Sequence, residues 1–172
     1  MQEIYDKARN VRVAIFDVDG VLTEGTLYYL PSGEELKAFN VLDGHGMKML
    51  QESGVKLAVI SSRSSSCVEE RARNLGIELL YQGAGDKLAA FDALLVQCGV
   101  AADSCSFIGD DAADVPVMRR CGLAASVPNA PALVRWAAHY VTRARGGHGA
   151  ARELCELIIH AQGVHSPVSG RA

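Results

Sequence analysis

The sequence predicts an α/β fold, in which a Rossmann-like parallel sheet carries helices on both faces. Short apolar, β-branched runs alternate with segments of helical spacing along the chain, and this alternation is typical of parallel strands joined by right-handed crossovers. The chain has 172 residues, of which 49% are apolar, which is enough for one domain with a substantial core. We therefore expect a single domain over residues 1–172.

The composition argues against several classes of protein. The net charge is −3 with both signs interspersed, so nothing indicates a nucleic-acid partner or an anionic membrane surface. The N-terminus lacks the apolar segment of a signal peptide, and no apolar run is long enough to span a bilayer, so we expect a cytoplasmic protein without a membrane partner. The 5 cysteines are widely spaced without a Cys-x-x-Cys pair, which argues against a disulfide framework, a zinc site or a redox motif.

The first predicted strand, over residues 11–16, ends abruptly at Asp17, Val18, Asp19 and Gly20. Side chains alternate along a strand, so Asp17 and Asp19 leave it on the same side, and Gly20 permits a sharp turn. Two such carboxylates repel each other by a few kcal/mol at an effective dielectric constant of about 20 and a separation of roughly 4 Å. A hard cation such as Mg²⁺ would offset this repulsion, whereas a solvated Asp-Gly turn explains the same residues without any ligand.

Residues 24–39 resemble a β-hairpin with a Pro-Ser-Gly turn. An isolated hairpin is marginally stable unless its apolar face is covered, and either a neighbouring subunit or the rest of the same domain could cover it. The glycine-rich residues 40–46 predict a polar joint, and a short helix follows over 47–53. His45 in this joint is a site candidate if the loop faces a cleft, and otherwise a solvated histidine.

The second strand, over residues 55–60, is followed by residues suited to bind an anion. Ser61 comes directly after this strand and precedes a helix over 67–75, so it is a candidate ligand of a phosphate oxygen. Arg63 could bind a phosphate or a carboxylate through its forked donors. A serine N-cap and an exposed arginine are the structural alternatives.

Lys87 begins the helix that follows the third strand, which is predicted over residues 78–81. A cation in the first turn of a helix is unfavourable, because the helix dipole is positive at that end. This small cost suggests that Lys87 binds a phosphate between the strand ends, although an exposed lysine could also tolerate it.

The strand over residues 105–109 repeats the design of the first strand, because Asp110, Asp111 and Asp114 follow it. Ligands of open α/β sheets bind beyond the carboxyl ends of the strands, so Asp110 is the natural third ligand of the cation. Asp111 and Asp114 stay open as ligands, as supporting residues or as helix caps.

The rest of the chain continues the alternation and ends in a helix with one apolar stripe. Residues 164–172 are expected to form a mobile tail. The other predicted elements are helices over 87–98, 116–120, 130–138 and 151–161 and strands over 123–127 and 139–142.

The ordered motifs resemble those of the haloacid dehalogenase superfamily of phosphotransferases; they are Asp17 and Asp19, Ser61, Lys87 and residues 109–111. The resemblance implies that Asp17 is the nucleophile and that Asp19 is the general acid and base. It also implies that Ser61 and Lys87 bind the phosphate, and that Asp17, the carbonyl of Asp19 and Asp110 hold Mg²⁺. The gaps between the motifs have no room for a cap domain, so the resemblance implies an uncapped core with an inserted hairpin.

A narrower resemblance is to the family of 3-deoxy-D-manno-octulosonate 8-phosphate phosphatases. It rests on residues 33–41, 43–46, 68–71, 81–83, 109–111, 116–118 and 146–149. It implies a homotetramer that acts on a phosphorylated sugar acid in lipopolysaccharide inner-core synthesis, with a neighbour's C-terminal segment helping to close the site. Arg63 and Arg71 are then candidates to bind the carboxylate of the sugar acid. Ser62 departs from the pattern, since many relatives have Gly before the arginine, and this change could stiffen the loop.

Two alternatives stay open at this point. A close relative could act on a nine-carbon sialic-type acid 9-phosphate. A similar domain could also be a non-catalytic, tetramerising module that regulates a sugar-nucleotide synthetase, but the complete motif set argues against this, because a binding module needs no nucleophile.

Overall fold

The computed structural model describes residues 2–163, in which helices and strands alternate along the chain. The elements are α1 (Gln2–Arg9), β1 (Val13–Phe16), β2 (Tyr28–Tyr29), β3 (Glu35–Leu36), α2 (Val41–Glu52), β4 (Lys56–Ile60), α3 (Ser66–Leu75), β5 (Leu79–Tyr81), α4 (Lys87–Cys98), β6 (Cys105–Gly109), α5 (Val115–Met118), β7 (Leu123–Ser126), α6 (Ala132–Ala137), β8 (Tyr140–Val141) and α7 (Ala150–Ala161). Six strands form one sheet in the order β5-β4-β1-β6-β7-β8, and β2 and β3 form a separate pair.

The six-stranded sheet confirms the predicted parallel α/β fold. β1 lies between β4 and β6, and Ile15 pairs with Ala58 on one side and with Phe107 on the other. The chain moves from β1 toward β5 through α2 and α3, and from β6 toward β8 through α5 and α6. Because crossovers are right-handed, these opposite directions place the helices on opposite faces. The carboxyl ends of β1 and β6 meet where the direction changes, which is where such sheets bind ligands.

The core lies between the sheet and two groups of helices. α1, α2 and α7 pack together in one group, and α4, α5 and α6 form the other. β1 is buried along its whole length, as its uninterrupted apolar sequence requires in a sheet that is covered on both faces. The largest fully buried side chains include Ile15, Phe16, Met47, Phe91, Leu94, Phe107, Leu123 and Leu154. This core fixes the strand ends that carry the candidate site.

The prediction of a polar joint over residues 40–46 is wrong, because α2 already covers most of them. Asn40 caps α2 by accepting a hydrogen bond from the Leu42 N–H at 2.7 Å. The glycines that suggested a joint lie inside the helix, where Gly44 faces side chains of α3 and Gly46 faces α7. A Cβ at Gly46 would lie only 3.0 Å from the Cα of Arg152 in α7. Close helix packing, which local sequence does not reveal, explains this glycine.

Asp43 joins α2 to the start of α7. Its buried carboxylate accepts hydrogen bonds from the N–H groups of Arg152 at 2.8 Å and Gly149 at 3.2 Å. These amides lie at the start of α7, at its N-cap residue Gly149 and in its first turn, where backbone N–H groups lack partners within the helix. His45 lies on the exposed side of α2, which agrees with the interpretation of a solvated histidine.

The predicted hairpin forms, with strands of only two residues each. Tyr28 pairs with Leu36 and Tyr29 with Glu35 in an antiparallel ladder. The apolar side chains of the hairpin are between 40% and 59% exposed and comprise Leu27, Tyr28, Tyr29, Leu30 and Leu36. The sequence suggested that either a neighbouring subunit or the same domain covers this apolar face. Residues 2–163 of the same subunit do not cover it.

The other predicted elements are present with ends that differ by a few residues. The helix predicted over 130–138, for example, is α6. The sequence reading missed α1, which buries Ala8 and packs on α7. The tail expected to be mobile, over 164–172, lies outside the described residues. Between residues 2 and 163, no helix combines the length and the apolar character that crossing a membrane requires.

Candidate active site

An open cavity of about 250 Å³ lies at the carboxyl ends of the central strands. It brings together residues that follow β1, β4 and β6 and the lysine that begins α4. Its lining residues are Asp17, Asp19, Gly25, Ser61, Ser62, Arg63, Lys87, Asp110, Asp111 and Ala113. The residues to which the sequence assigned a role in the site line this cavity, except Arg71. Of the candidates that were left open, Asp111 lines it, whereas His45 and Asp114 do not.

Asp17 is buried directly after β1, and its surroundings fix its carboxylate. Its N–H continues the sheet by donating to the carbonyl of Ile108 in β6 at 3.0 Å. Its Oδ1 accepts a hydrogen bond from the N–H of Val18 at 2.7 Å. The chain then makes a wide turn over residues 18–22, and Gly20 permits this turn by adopting a φ of +86°. The carboxylate is therefore held in one orientation at the end of the central strand.

Lys87 lies between two carboxylates. Its Nζ is 2.8 Å from Oδ2 of Asp17 and 2.6 Å from Oδ1 of Asp114, and only 3% of its side chain is exposed. These two ion pairs offset the unfavourable position of a cation in the first turn of α4. Lys87 is thus neither an exposed lysine nor a simple helix residue, since it connects α4 to the ends of β1 and β6.

Asp114 is both a helix cap and a partner of Lys87. Its Oδ2 accepts hydrogen bonds from the N–H groups of Asp110 at 2.9 Å and Asp111 at 3.0 Å, while its Oδ1 contacts the lysine. Gly109 leaves room for this arrangement, because a Cβ there would lie 2.5 Å from the carboxyl carbon of Asp114. Both oxygens of Asp114 are therefore occupied by protein donors.

Asp17, Asp110 and Asp114 offer one oxygen each within 4.8 Å of one another. Oδ1 of Asp110 is buried and accepts no hydrogen bond from the described part of the chain, which is uncommon for a buried acceptor. Gly20 makes space for this carboxylate, since a Cβ there would lie 1.9 Å from its Oδ2. Hard carboxylate donors with one unsatisfied oxygen fit Mg²⁺. Because Asp114 is already occupied, Asp17 and Asp110 are the better candidate ligands.

Asp17 and Asp110 are buried close to another acid, Asp114, and Lys87 does not fully compensate the resulting cost of ionising them. Burial, and then the charge of Asp114, raises the pKa of Asp17 from 3.8 to about 7, although Lys87 opposes this. The same two causes, in the same order, raise the pKa of Asp110 to about 7. Burial disfavours the charged form of Lys87, but Asp17 and Asp114 outweigh it and raise the pKa of the lysine. A bound divalent cation would stabilise the ionised carboxylates.

Asp19 belongs to a second cluster, a ring of alternating charges that we call the hairpin ion network; it consists of Asp19, Glu35, Lys37 and Arg63. Lys37 Nζ contacts Asp19 Oδ1 and lies 2.8 Å from Glu35 Oε1. Arg63 closes the ring, with its Nη2 3.2 Å from Glu35 Oε2 and its Nε 3.7 Å from Asp19 Oδ2. Both carboxylate oxygens of Asp19 therefore face a cation.

Ser61 and Arg71 have different surroundings. Ser61 is buried, and its Oγ accepts a long hydrogen bond of 3.4 Å from the N–H of Arg63. Arg71 instead donates from Nη2 to the carbonyl of Asn40 at 3.1 Å and lies over the ring of Phe39, 5.7 Å from its centre. These contacts stabilise the start of α2. The predicted role of Arg71 at a substrate carboxylate therefore finds no support within one subunit.

Lys37 and Glu35 contact site residues, although the sequence pattern did not indicate either of them. The available local signal was the spacing of the two residues, since alternation along an extended chain places them on the same side. Asp19, the partner of Lys37, precedes it by 18 residues, and no local pattern connects the two. Only the fold of the hairpin over the strand end brings them together.

Comparisons with known proteins identify the family. A profile of the haloacid dehalogenase-like hydrolases matches residues 79–154. The 3-deoxy-D-manno-octulosonate 8-phosphate phosphatase KdsC of Escherichia coli K12 is 44% identical over 170 residues, which cover 99% of this chain and 90% of that protein. This chain belongs to the same phosphatase family.

Solved structures of related phosphatases have the same fold. A probable YrbI family phosphatase from Pseudomonas syringae pv. phaseolica 1448a is 51% identical, with a TM-score of 0.93, and the match covers 95% of this chain and 93% of that one. A 3-deoxy-D-manno-octulosonate 8-phosphate phosphatase from Moraxella catarrhalis is 44% identical, with a TM-score of 0.93 and coverage of 95% and 94%. The Moraxella structure is a complex with a magnesium ion, a phosphate ion and a KDO molecule.

Proposed function

We propose that this protein is a Mg²⁺-dependent phosphomonoesterase that hydrolyses 3-deoxy-D-manno-octulosonate 8-phosphate (KDO 8-phosphate) to KDO and phosphate. The observation that carries the proposal is the buried carboxylate of Asp17, which faces an open cavity beside Lys87 and an unsatisfied oxygen of Asp110. The family relationship supplies the substrate, since relatives with this name match nearly the whole chain. The lipopolysaccharide pathway expected from the sequence follows from that substrate.

The ligands proposed for Mg²⁺ are the carboxylates of Asp17 and Asp110, together with the backbone carbonyl of Asp19, which is assigned by family resemblance. When it is bound, the ion supplies positive charge that offsets the repulsion between the acids and the substrate phosphate. Lys87 and Ser61 would bind the remaining phosphate oxygens, as both line the same cavity.

The first chemical step is proposed to occur at Asp17. A carboxylate oxygen of Asp17 forms a bond to phosphorus while the bond from phosphorus to the sugar oxygen breaks. Asp19 donates a proton to the departing oxygen, and Lys87 stabilises the charge that spreads over the phosphate. Asp114 positions Lys87 for this purpose, because its Oδ1 lies 2.6 Å from the ammonium group. The products of this step are the free sugar acid and an aspartyl-phosphate.

The second step returns Asp17 to its initial state. Asp19, now ionised, accepts a proton from a water molecule that attacks phosphorus, and the bond between phosphorus and Asp17 breaks. Phosphate then leaves through the open mouth of the cavity. One aspartate thus forms the covalent intermediate, and its neighbour two residues later moves the protons in both steps.

Arg63 is the better candidate for the carboxylate of the sugar acid. It lines the cavity, and 43% of its side chain is exposed, so a ligand can reach its forked donors. The exposed apolar face of the hairpin supports the proposed homotetramer, since patches of this kind often mark contacts with another chain. A neighbouring subunit would then help close the cavity. The cytoplasmic location stays a prediction.

A phosphate-release assay with KDO 8-phosphate tests this function. We expect turnover that requires Mg²⁺ and stops in EDTA. Asp17→Asn should abolish phosphate release without loss of the folded state, whereas Asp92→Asn, at a half-exposed aspartate that pairs with Arg120, should retain it. Unchanged turnover in Asp17→Asn would contradict the mechanism. Faster turnover of a nine-carbon sialic-type acid 9-phosphate would instead contradict the proposed substrate.

A further inference from the structure

Lys37 is a buried lysine that the proposed mechanism does not use. Only 2% of its side chain is exposed, and burial of an ammonium group is costly unless acids compensate it. The two acids that do so are Asp19 and Glu35. One of them is the proposed proton carrier of the reaction. The position of this lysine is therefore directly relevant to the chemistry.

We propose that Lys37 is a positioning residue that holds the carboxylate of Asp19 in place for proton transfer to the leaving sugar oxygen. This inference rests on the proposed function, because it assigns the role of Lys37 through that of Asp19. The hairpin would then have a role within its own subunit, because it places Lys37 at the end of β1.

Lys37 and Arg63 contact the same carboxylate but differ in exposure. The side chain of Arg63 is 43% exposed, and its Nε lies 3.7 Å from Asp19, so this contact is loose. When Arg63 binds the carboxylate of the substrate, it gives up its contact with Oδ2 of Asp19, and this oxygen can then carry the proton that Asp19 donates. Lys37 is enclosed and cannot reach the solvent, so its contact with Asp19 persists. The ring thus contains one exchangeable cation and one fixed cation.

Glu35 fixes the lysine from the opposite side. Its Oε1 lies 2.8 Å from Lys37 Nζ, and its Oε2 lies 3.2 Å from Arg63 Nη2. Loss of Glu35 would weaken the network but would leave the contact between Lys37 and Asp19. Loss of Lys37 would remove the contact itself. These two substitutions therefore separate the support of the hairpin from the positioning of Asp19.

The leaving group of the substrate provides a specific readout. A sugar alkoxide is a strong base that needs a proton as it leaves, whereas p-nitrophenolate is stable without one. A displaced Asp19 therefore slows phosphoryl transfer to Asp17 more from an alkyl phosphate such as KDO 8-phosphate than from an aryl phosphate such as p-nitrophenyl phosphate. Misplacement of a catalytic group by about 1 Å can cost on the order of 10²-fold in rate. The ratio of kcat/KM for the two substrates reports this effect, because kcat/KM covers the steps up to release of the leaving group. It also reports any disturbance of Arg63, since only KDO 8-phosphate has a carboxylate for that residue, and Glu35→Gln measures this second contribution separately.

The experiment measures kcat/KM for KDO 8-phosphate and p-nitrophenyl phosphate at saturating Mg²⁺. In Lys37→Met, the ratio of the alkyl value to the aryl value should fall by about 10-fold or more. Lys37→Arg should restore most of the ratio, because it keeps a cation near Asp19. Lys48→Met, at an exposed lysine of α2, should leave the ratio unchanged.

The same measurements separate a failure of the positioning role from a failure of the proposed function. If Lys37→Met lowers kcat/KM equally for both substrates, or for neither, the positioning role is wrong. If it does not fold, Lys37→Gln replaces it with the same expected loss of ratio, and an unchanged ratio there also overturns the role. Glu35→Gln loosens Arg63 but keeps the contact between Lys37 and Asp19, so its kcat/KM ratio should fall less than that of Lys37→Met; a ratio as low as that of Lys37→Met would assign the effect to the hairpin as a whole. Absence of turnover in the unaltered protein would overturn the proposed function itself.

Discussion

Lys87 and Lys37 are two buried lysines that each contact two carboxylates, but different parts of the molecule hold them. Lys87 lies in the first turn of α4 and contacts Asp17 and Asp114. Lys37 follows β3 and contacts Asp19 and a glutamate of the hairpin. In both cases burial disfavours the ammonium form, while hydrogen bonds and charges of the acids raise the pKa of the lysine. The same local chemistry therefore occurs at two positions around one cavity.

The supports of the two lysines differ. Asp17 follows the central strand directly, and Asp114 accepts hydrogen bonds from two backbone N–H groups that follow β6. The six-stranded sheet therefore fixes the cluster around Lys87. The network around Lys37 depends on two-residue strands with exposed apolar side chains. Sites on rigid elements keep their geometry better than sites on loops. We infer that one subunit fixes the phosphate half of the site, whereas the surroundings of the hairpin determine the leaving-group half.

Lys87→Met should have the largest effect, because it breaks the cluster that the sheet supports. It leaves two buried carboxylates without their cation, and removal of one partner of a buried ion pair typically costs about 3–5 kcal/mol. It also removes a donor to the phosphate, so kcat should fall by about 10²- to 10³-fold. Denaturant unfolding in EDTA and phosphate release in Mg²⁺ measure the two effects.

Lys37→Met is the matched variant for this comparison. Its partners are 15% to 23% exposed at the side chain, so water can solvate them and the free energy of unfolding should fall less than in Lys87→Met. An equal loss of stability in both variants would contradict the distinction between a fixed and a hairpin-dependent lysine.

Gly20→Ala should weaken Mg²⁺ binding by roughly 10-fold or more, an effect in the range found when groups around metal ligands are changed. The added Cβ would lie 1.9 Å from Asp110 Oδ2, so this carboxylate must move. Gly33→Ala is the control, since Gly33 has nearly the same φ, +87° against +86°, but its Cβ would meet no atom within 4 Å. Titration with Mg²⁺ should detect the loss in the first variant alone. Equal affinities would argue against Asp110 as a ligand.

Leu36→Asp tests whether the exposed face of the hairpin lies against another subunit. The side chain is 48% exposed on β3, and a charge there should disfavour burial in an interface. We expect a smaller molar mass in light scattering and lower turnover of KDO 8-phosphate. Val96→Asp, at an apolar side chain of α4 that is 85% exposed, should change neither. If Leu36→Asp has the same molar mass as the unaltered protein, the hairpin does not form this interface.

The sequence was sufficient to predict the part of the site that the sheet fixes. Asp17, Ser61, Lys87 and Asp110 each lie at or near the end of a strand or the start of a helix, and the strand pattern alone places such residues at one edge. Local signals could not predict the hairpin ion network, because its ring joins a turn, a hairpin and a strand end. The helical state of residues 41–46 was missed for the same reason, since glycine has low helix propensity and the packing of α2 on α7 joins residues far apart in the sequence.

The smallest expected effect concerns pH. The pKa of Asp110 is raised from 3.8 to about 7, first by burial and then by Asp114, so the folded protein without Mg²⁺ binds this proton more tightly than the unfolded chain does. The resulting stabilisation is complete below pH 4 and is lost as the pH rises toward 7. In EDTA, Tm should therefore decrease between pH 5 and 7.5 by a few degrees more than in Asp110→Asn, at about 2–4 °C per kcal/mol for a chain of this size.

Mg²⁺ should reverse this pH dependence, because it binds the ionised carboxylates and competes with the proton. At pH 7.5 the ion should raise Tm in the unaltered protein and have little effect in Asp110→Asn, since the amide cannot supply the missing negative charge. Asp17 titrates in both proteins and its contribution largely cancels in the difference. If the two proteins lose stability in parallel and respond equally to Mg²⁺, the unsatisfied oxygen of Asp110 is not a metal ligand. The magnesium site would then depend on Asp17 and Asp114, and Lys87 would have to give up one of its ion pairs to allow it.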